Sequence, residues 1–240
     1  FLNFAYEMDV KRIAYAASFA VSNWEFSPKQ TSRIVPLAKK FNAVSVRESS
    51  AVNLCREYLG VESQLVLDPT LLLKREDYMD LIKAENEEKS EGTLFTYILD
   101  KSQEKERIIS SLAKDFNMTR YECMPKYETS YLSIKRHPEE SVYPSVTRWL
   151  RSIYEAELVV TDSFHGTAFS IIFNKPFYVI LNINRGADRF ISLLNLFGLD
   201  DRIISGTSEI SNNPIDWSRV NKIREEWGNK SLKFLVDALK

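Results

Sequence analysis

Three short segments of this chain gather residue types that handle anions and protons. The most informative, Leu158–Ile180, reads LVVTDSFHGTAFSIIFNKPFYVI. An apolar strand ends at Thr161, and the polar turn Asp162-Ser163-Phe164-His165-Gly166 follows at once. A helix is predicted over 167–173, then a break at Asn174-Lys175-Pro176 and a second strand from Phe177. In such a βαβ unit the polar turn lies at the carboxyl edge of the sheet, where ligands of open α/β sheets bind. A helix N-terminus there offers N–H groups and a positive dipole end, which suit a phosphate or carboxylate. His165 could donate to an anion when protonated, or shuttle a proton near neutral pH. Gly166 would let a ligand approach the backbone closely. Against this stands a plainer alternative, in which Asp162 and Ser163 only cap the helix and His165 is an ordinary turn histidine. Loop residues at a strand edge carry function disproportionately, which favours the first reading.

The second segment, Ala43–Ser50 (AVSVRESS), is also a strand, a charged turn and a helix start. Arg47 falls at the strand's carboxyl end, where its guanidinium fork could hold a carboxylate or phosphate in bidentate fashion. Glu48 stands beside it as an acid or base candidate, and a plain Arg47–Glu48 surface pair is an equal alternative. In the third, Asn182–Arg189 (NINRGADR), Arg185 and Arg189 directly follow the strand Phe177–Leu181. That places them near the same edge as His165, as phosphate ligands or as part of a solvated loop. Asp68-Pro69 reads as a turn after a strand. His137 reads as exposed. The tyrosines between 121 and 143 suit either sugar stacking or ordinary packing.

The elements that must position these residues alternate along the chain. Strands are expected over 12–17, 43–46 and 64–67, with helices over 32–42 and 49–59 between them. After a polar stretch the pattern resumes, with strands over 93–99, 119–124, 158–161 and 177–181. Helices are expected over 104–116, 145–156 and 190–197, and a last one spans 217–239. Such alternation indicates mostly parallel α/β sheets. The implied organisation is a partial N-terminal lobe over 1–83, a linker at 84–91 and a C-terminal lobe over 92–210. The terminal helix, 211–240, would cross back to the first lobe.

Composition sets the limits. The 240 residues carry a formal net charge of −1, with 44% apolar and 27% charged content. That is ordinary for a soluble globular protein and long enough for a sizeable core. The balanced charge argues against a general nucleic-acid binder. Two cysteines, with no CxxC and no Cys/His cluster, fit a reducing compartment and give no support to a metal site. No cofactor is called for. No leader or spanning segment is visible, so a cytoplasmic site is expected. The chain starts at Phe1 rather than Met, and the expectation is that opening strands of the first lobe precede it.

Five segments together resemble the polysaccharide pyruvyl transferase family. They are YAAS at Tyr15–Ser18, SVRESSA at Ser45–Ala51, LDPTLLL at Leu67–Leu73, VVTDSFHGTAFSIIFNKPF at Val159–Phe177 and RFISLLNLFGL at Arg189–Leu199. DSFHGT is the most specific, and the order of all five runs through nearly the whole chain. The resemblance implies two Rossmann-like lobes facing a cleft, similar to the GT-B architecture. It implies phosphoenolpyruvate as donor and a sugar hydroxyl pair as acceptor, forming a pyruvate ketal in capsule or exopolysaccharide assembly. The arginine of the SVRE-type turn and the histidine of the HG-type turn match Arg47 and His165 as donor-binding residues. A lipid-linked acceptor and peripheral membrane contact stay open. Family members usually open with a strand and a Gly-containing loop that this chain does not show, so the N-terminal lobe is expected to be incomplete. Two other functions remain alongside: a GT-B glycosyltransferase using a nucleotide sugar, and a noncatalytic saccharide- or anion-binding fragment.

Overall fold

The computed structural model describes residues 3–85, 87, 89–125, 131–182, 186–204 and 211–240. In chain order its strands are β1 (Ile13–Ala17), β2 (Ala43–Val46), β3 (Gln64–Leu65), β4 (Leu94–Tyr97), β5 (Arg120–Glu122), β6 (Leu158–Thr161), β7 (Phe177–Ile180) and β8 (Ile203–Ile204). The helices are α1 (Pro28–Ala38), α2 (Ser49–Leu54), α3 (Arg75–Ala84), α4 (Gln103–Asp115), α5 (Tyr131–Arg136), α6 (Val146–Glu155), α7 (Phe164–Ile172), α8 (Asp188–Phe197) and α9 (Trp217–Leu239). All strand pairings are parallel, so the class is α/β. No helix among the described residues is long and apolar enough to cross a membrane.

The chain divides into two compact units that are not contiguous in sequence. The first comprises Phe1–Leu72, Asn182–Asp200 and Asp216–Lys240; the second comprises Leu73–Leu181 and Asp201–Ile215.

The first unit holds a three-stranded sheet in the order β1-β2-β3. Its core gathers Val46, Ala51 and Cys55, with Ala17, Phe19, Val44 and Leu59 packed against them. Ser45, buried inside β2, is polar for a reason. The β1–β2 register shifts between Ala14 and Ala17, and the Ser45 hydroxyl fills the irregularity. It donates to Ala14 O and accepts from Ala16 N, each at 3.0 Å. Helix α1 starts at Pro28, four residues before the position expected from periodicity. Ser27 and Gln30 form a capping box and Pro28 takes the first helical turn, where its missing N–H costs nothing. After α2 the chain continues as one wider turn over Cys55–Leu59, and Gly60 stops it at φ 63°, a left-handed conformation that glycine adopts without strain. Helix α9 packs in this unit: Leu67 N donates to Ser231 Oγ at 2.9 Å, and Phe234 lies against Tyr15.

The second unit holds a five-stranded sheet in the order β5-β4-β6-β7-β8. Leu94, Ile109, Leu112, Val160 and Tyr178 belong to one buried cluster there. The chain leaves β4 for β5 on one side and returns to β6 on the other, so the strand order reverses between β4 and β6. In open α/β sheets a ligand crevice forms outside the carboxyl ends of the strands at such a reversal. Helix α3 was not foreseen from the sequence. Its signal, Tyr78 and Ile82 buried one turn apart, is only two residues deep. The two-residue strand β8 is too short to leave a pattern.

Candidate functional site

In the first unit three loops leave the carboxyl edge of the sheet and bring polar groups to a shared cluster. Ser18 and Phe19 follow β1, Arg47 and Glu48 follow β2, and Asp68 follows β3. Arg47 Nη1 lies 2.5 Å from Asp68 Oδ2, and Arg47 Nε lies 3.7 Å from Glu48 Oε1. The principal partner of Arg47 is therefore Asp68, with the adjacent Glu48 second. Asp68 is buried, and its other oxygen accepts from Thr70 N at 3.0 Å and Thr70 Oγ1 at 2.7 Å. The Asp-Pro turn that looked like mere punctuation thus builds a seat for the guanidinium.

Glu48 is fully buried. Its carboxylate accepts from the Ser18 hydroxyl and from Phe19 N at 3.3 Å. Burial pushes the Glu48 carboxyl above the usual glutamate range, and the charge of Asp188 adds to the rise. The Ser18 hydroxyl, Arg47 and the Phe19 N–H pull the other way. Glu48 is the residue that precedes the first turn of α2.

Helix α8 belongs to the same unit. Ser50 donates to Asp188, and Ser49 N donates to Ser192 Oγ at 2.8 Å. Arg189 sits in the first turn of α8 with its guanidinium 5.5 Å from the Phe190 ring centroid. Proximity in sequence to β7 suggested that Arg189 shares the sheet edge of His165. Arg189 belongs to the same compact unit as Arg47, where α8 packs on α2. Arg185 lies outside the described residues.

In the second unit the turn after β6 is the best-connected part of the strand reversal. Asp162 is fully buried. Its carboxylate accepts from Leu99 N at 2.6 Å, Asp100 N at 3.1 Å and Lys105 Nζ at 2.6 Å. One side chain thereby ties the loop after β6 to the loop after β4 and to α4. Thr161 Oγ1 adds a second tie, donating to Tyr97 O at 2.7 Å while accepting from Ser163 N at 3.0 Å.

Helix α7 begins at Phe164, three residues before the expected start. Ser163 is its N-cap, accepting from Gly166 N, and is itself buried. The cap thus satisfies the Gly166 amide, one of the first-turn N–H groups. Gly166 has a packing reason of its own. A Cβ there would meet Thr161 Oγ1 at 2.5 Å and Thr161 Cβ at 3.1 Å, so glycine lets α7 close against β6. His165 is the exposed member of this turn, standing edge-on to the Phe164 ring at 5.4 Å.

Of the candidates for acid or base, Asp162 and Glu48 are thus buried in hydrogen-bonded seats, while His165 reaches solvent. Lys105 was missed by the sequence reading. Nothing around it marks it, since a lysine in the first turn of a polar helix is commonplace. Asp68 carried a visible signal in its position after a strand, but that signal is the same for any turn.

The description of the polysaccharide pyruvyl transferase family fits residues 1–184 of this chain. The chain belongs to that family. The matched span includes both polar clusters, from Ser18 through Asp68 and from Asp162 through Gly166; Arg185 and Arg189 lie just beyond it. Among solved structures the family member is similar to the wall teichoic acid polymerase TagF, at 13% identity and a TM-score of 0.40. That similarity covers 93% of this chain and 59% of the TagF chain. No curated protein matches it.

Proposed function

We propose that this protein moves the pyruvyl group of phosphoenolpyruvate onto a pair of hydroxyls of a saccharide, giving a cyclic pyruvate ketal and inorganic phosphate. The observation that supports this reading most is His165. It is exposed in the first turn of α7, at the carboxyl edge of the sheet where the strand order reverses, and inside the span that matches the family.

The donor carries a phosphate and a carboxylate, and its recognition asks for cationic or N–H-rich positions. Arg47 supplies one in the first unit, preset by Asp68 so that little rotamer freedom is left to lose. His165 supplies one in the second. The reaction begins with protonation of the methylene carbon, which makes C2 electrophilic. A sugar hydroxyl attacks C2, the C–O bond to phosphate breaks with both electrons leaving on phosphate, and the second hydroxyl closes the ketal. The two hydroxyl protons leave to base or solvent. We assign proton transfer to His165, a role commonly worth about 10²–10⁴ in rate. Glu48 and Asp162, both buried, we assign to holding Arg47 and the strand-reversal loops in place. Arg189 we keep as a phosphate ligand on the first unit. A cytoplasmic place in capsule or exopolysaccharide assembly completes the reading.

The test is titration of the protein with phosphoenolpyruvate, with UDP and inorganic phosphate as controls. A ligand at about a hundredfold excess over its Kd raises apparent stability by about 2.7 kcal/mol. We expect a melting shift selective for phosphoenolpyruvate that Arg47→Ala and His165→Ala each reduce. A shift with UDP alone would replace this reading with a nucleotide-sugar glycosyltransferase. Binding without phosphate release in the presence of saccharide acceptors would reduce the protein to a binding module.

A further inference from the structure

The second unit carries a concentration of positive charge on the sheet edge opposite His165. Lys175 sits in the turn before β7, at the amino ends of the strands, whereas His165 follows the carboxyl end of β6. Tyr154, in the last turn of α6, is the centre of the cluster. Lys175 Nζ lies 5.3 Å from its ring centroid and the Arg75 guanidinium carbon 5.5 Å from it. Neither cation makes an ion pair among the described residues. The neighbouring Glu155 is committed to Arg151 at 2.8 Å and to Ser90 N at 2.9 Å.

Two buried polar atoms in the same region lack partners. They are Arg75 Nε, a donor, and Asn174 Oδ1, an acceptor next in the chain to Lys175. Buried polar atoms of folded proteins are nearly always satisfied, and exceptions point to a bound water, ion or ligand. Like charges gathered on one ring are costly unless an anion joins them. Their mutual effect is visible in Lys175, whose ammonium is held below the usual lysine range by burial and then by Arg75; Glu155 and Glu157 oppose that. Beside the cluster lies a concavity of about 380 Å³ lined by Met79, Ile82, Lys83, Arg151, Tyr154 and Glu155. Tyr154 belongs to both.

We propose that Arg75, Lys175 and Tyr154 form a second binding site, for a carboxylate-bearing sugar residue, on the edge of this sheet away from His165. The division of labour follows from the chemistry. The two cations hold the carboxylate, the aromatic ring packs against the C–H face of the sugar, and Asn174 Oδ1 accepts from a hydroxyl. The orphan acceptor asks for an O–H donor, which a sugar hydroxyl supplies and a carboxylate oxygen does not. Such a site would grip an acidic glycan away from the reacting centre. It rests on the polysaccharide reading only for the choice of a sugar.

Calorimetric titration of the whole chain with glucuronate, glucose and inorganic phosphate tests it. Glucuronate is expected to bind, and Lys175→Gln and Arg75→Gln are each expected to weaken it at least about tenfold. Glucose is expected to bind far more weakly, and His165→Ala is expected to leave glucuronate affinity unchanged. Lys175→Gln alters a turn residue outside any helix or strand, and circular dichroism verifies that it folds. The proposal is overturned if glucuronate affinity survives both substitutions, or if His165→Ala abolishes it. Phosphate binding that matches or exceeds glucuronate overturns the sugar assignment. Failure here leaves phosphoenolpyruvate titration unaffected, so the two readings fail separately.

Discussion

Arg47 Nη1 lies 2.5 Å from Asp68 Oδ2, a pair that joins the loop after the second strand to the loop after the third. Twenty-one residues separate the two partners along the chain. Asp68 is the more deeply buried of the two, and its remaining oxygen is committed to Thr70. The arginine proposed to bind the donor is therefore anchored from behind.

That anchoring predicts the behaviour of Asp68→Ala. Removing one partner of a buried ion pair leaves the other charge uncompensated, at about 3–5 kcal/mol when both are fully buried. Arg47 keeps 19% side-chain exposure, so a smaller loss of about 2–3 kcal/mol is expected. Phosphoenolpyruvate affinity should fall with it. Urea unfolding and calorimetry measure the two effects, and an unchanged unfolding midpoint would remove the anchoring role.

Gly166→Ala tests whether that glycine serves packing. In an ordinary helix the change stabilises by about 1 kcal/mol. Here the added Cβ would fall 2.5 Å from Thr161 Oγ1, and overpacking of this kind costs about 1–3 kcal/mol. The expected sign is therefore a net loss. A gain in the urea midpoint would show that α7 has room to move.

Lys105 and Asp162 should behave as a unit. Lys105→Met removes the cation that faces the buried carboxylate of Asp162, and a loss of about 3 kcal/mol is expected. Asp162→Asn combined with Lys105→Met should lose less than the two single changes added together. A double-mutant cycle reads the coupling, and strictly additive effects would contradict the pair.

Glu48 gives a pH signature of unusual sign. Its folded-state pKa is raised, chiefly by burial, so the folded protein holds this proton more tightly than the unfolded chain. The stability that results is fully present below about pH 4.3, the unperturbed glutamate value, and is lost as pH rises through the folded value. Wild type minus Glu48→Gln should therefore decline in stability with rising pH across that window. Urea midpoints of both proteins at a series of pH values measure it, and a difference independent of pH would contradict it.

The sequence by itself determined the local grammar. The apolar runs of β2, β6 and β7 were legible, and so was the placement of Arg47 and His165 in polar turns after strands. Those features depend on neighbours within a few residues, through side-chain alternation, capping and turn chemistry. Even there, local capping moved the starts of α1 and α7 upstream, because Ser27 and Ser163 end the coil earlier than periodicity alone indicates. What the tertiary structure alone decided is which distant groups meet. Asp68 takes Arg47, Lys105 takes Asp162, Thr161 fills the space beside Gly166, and Asp188 receives Ser50. Each pairing depends on strand order and on how helices return to the sheet, and no spacing along the chain encodes either. A carboxylate in a turn has the same local sequence whether it faces solvent or seats a guanidinium; burial and the arrival of a partner from another loop decide between them.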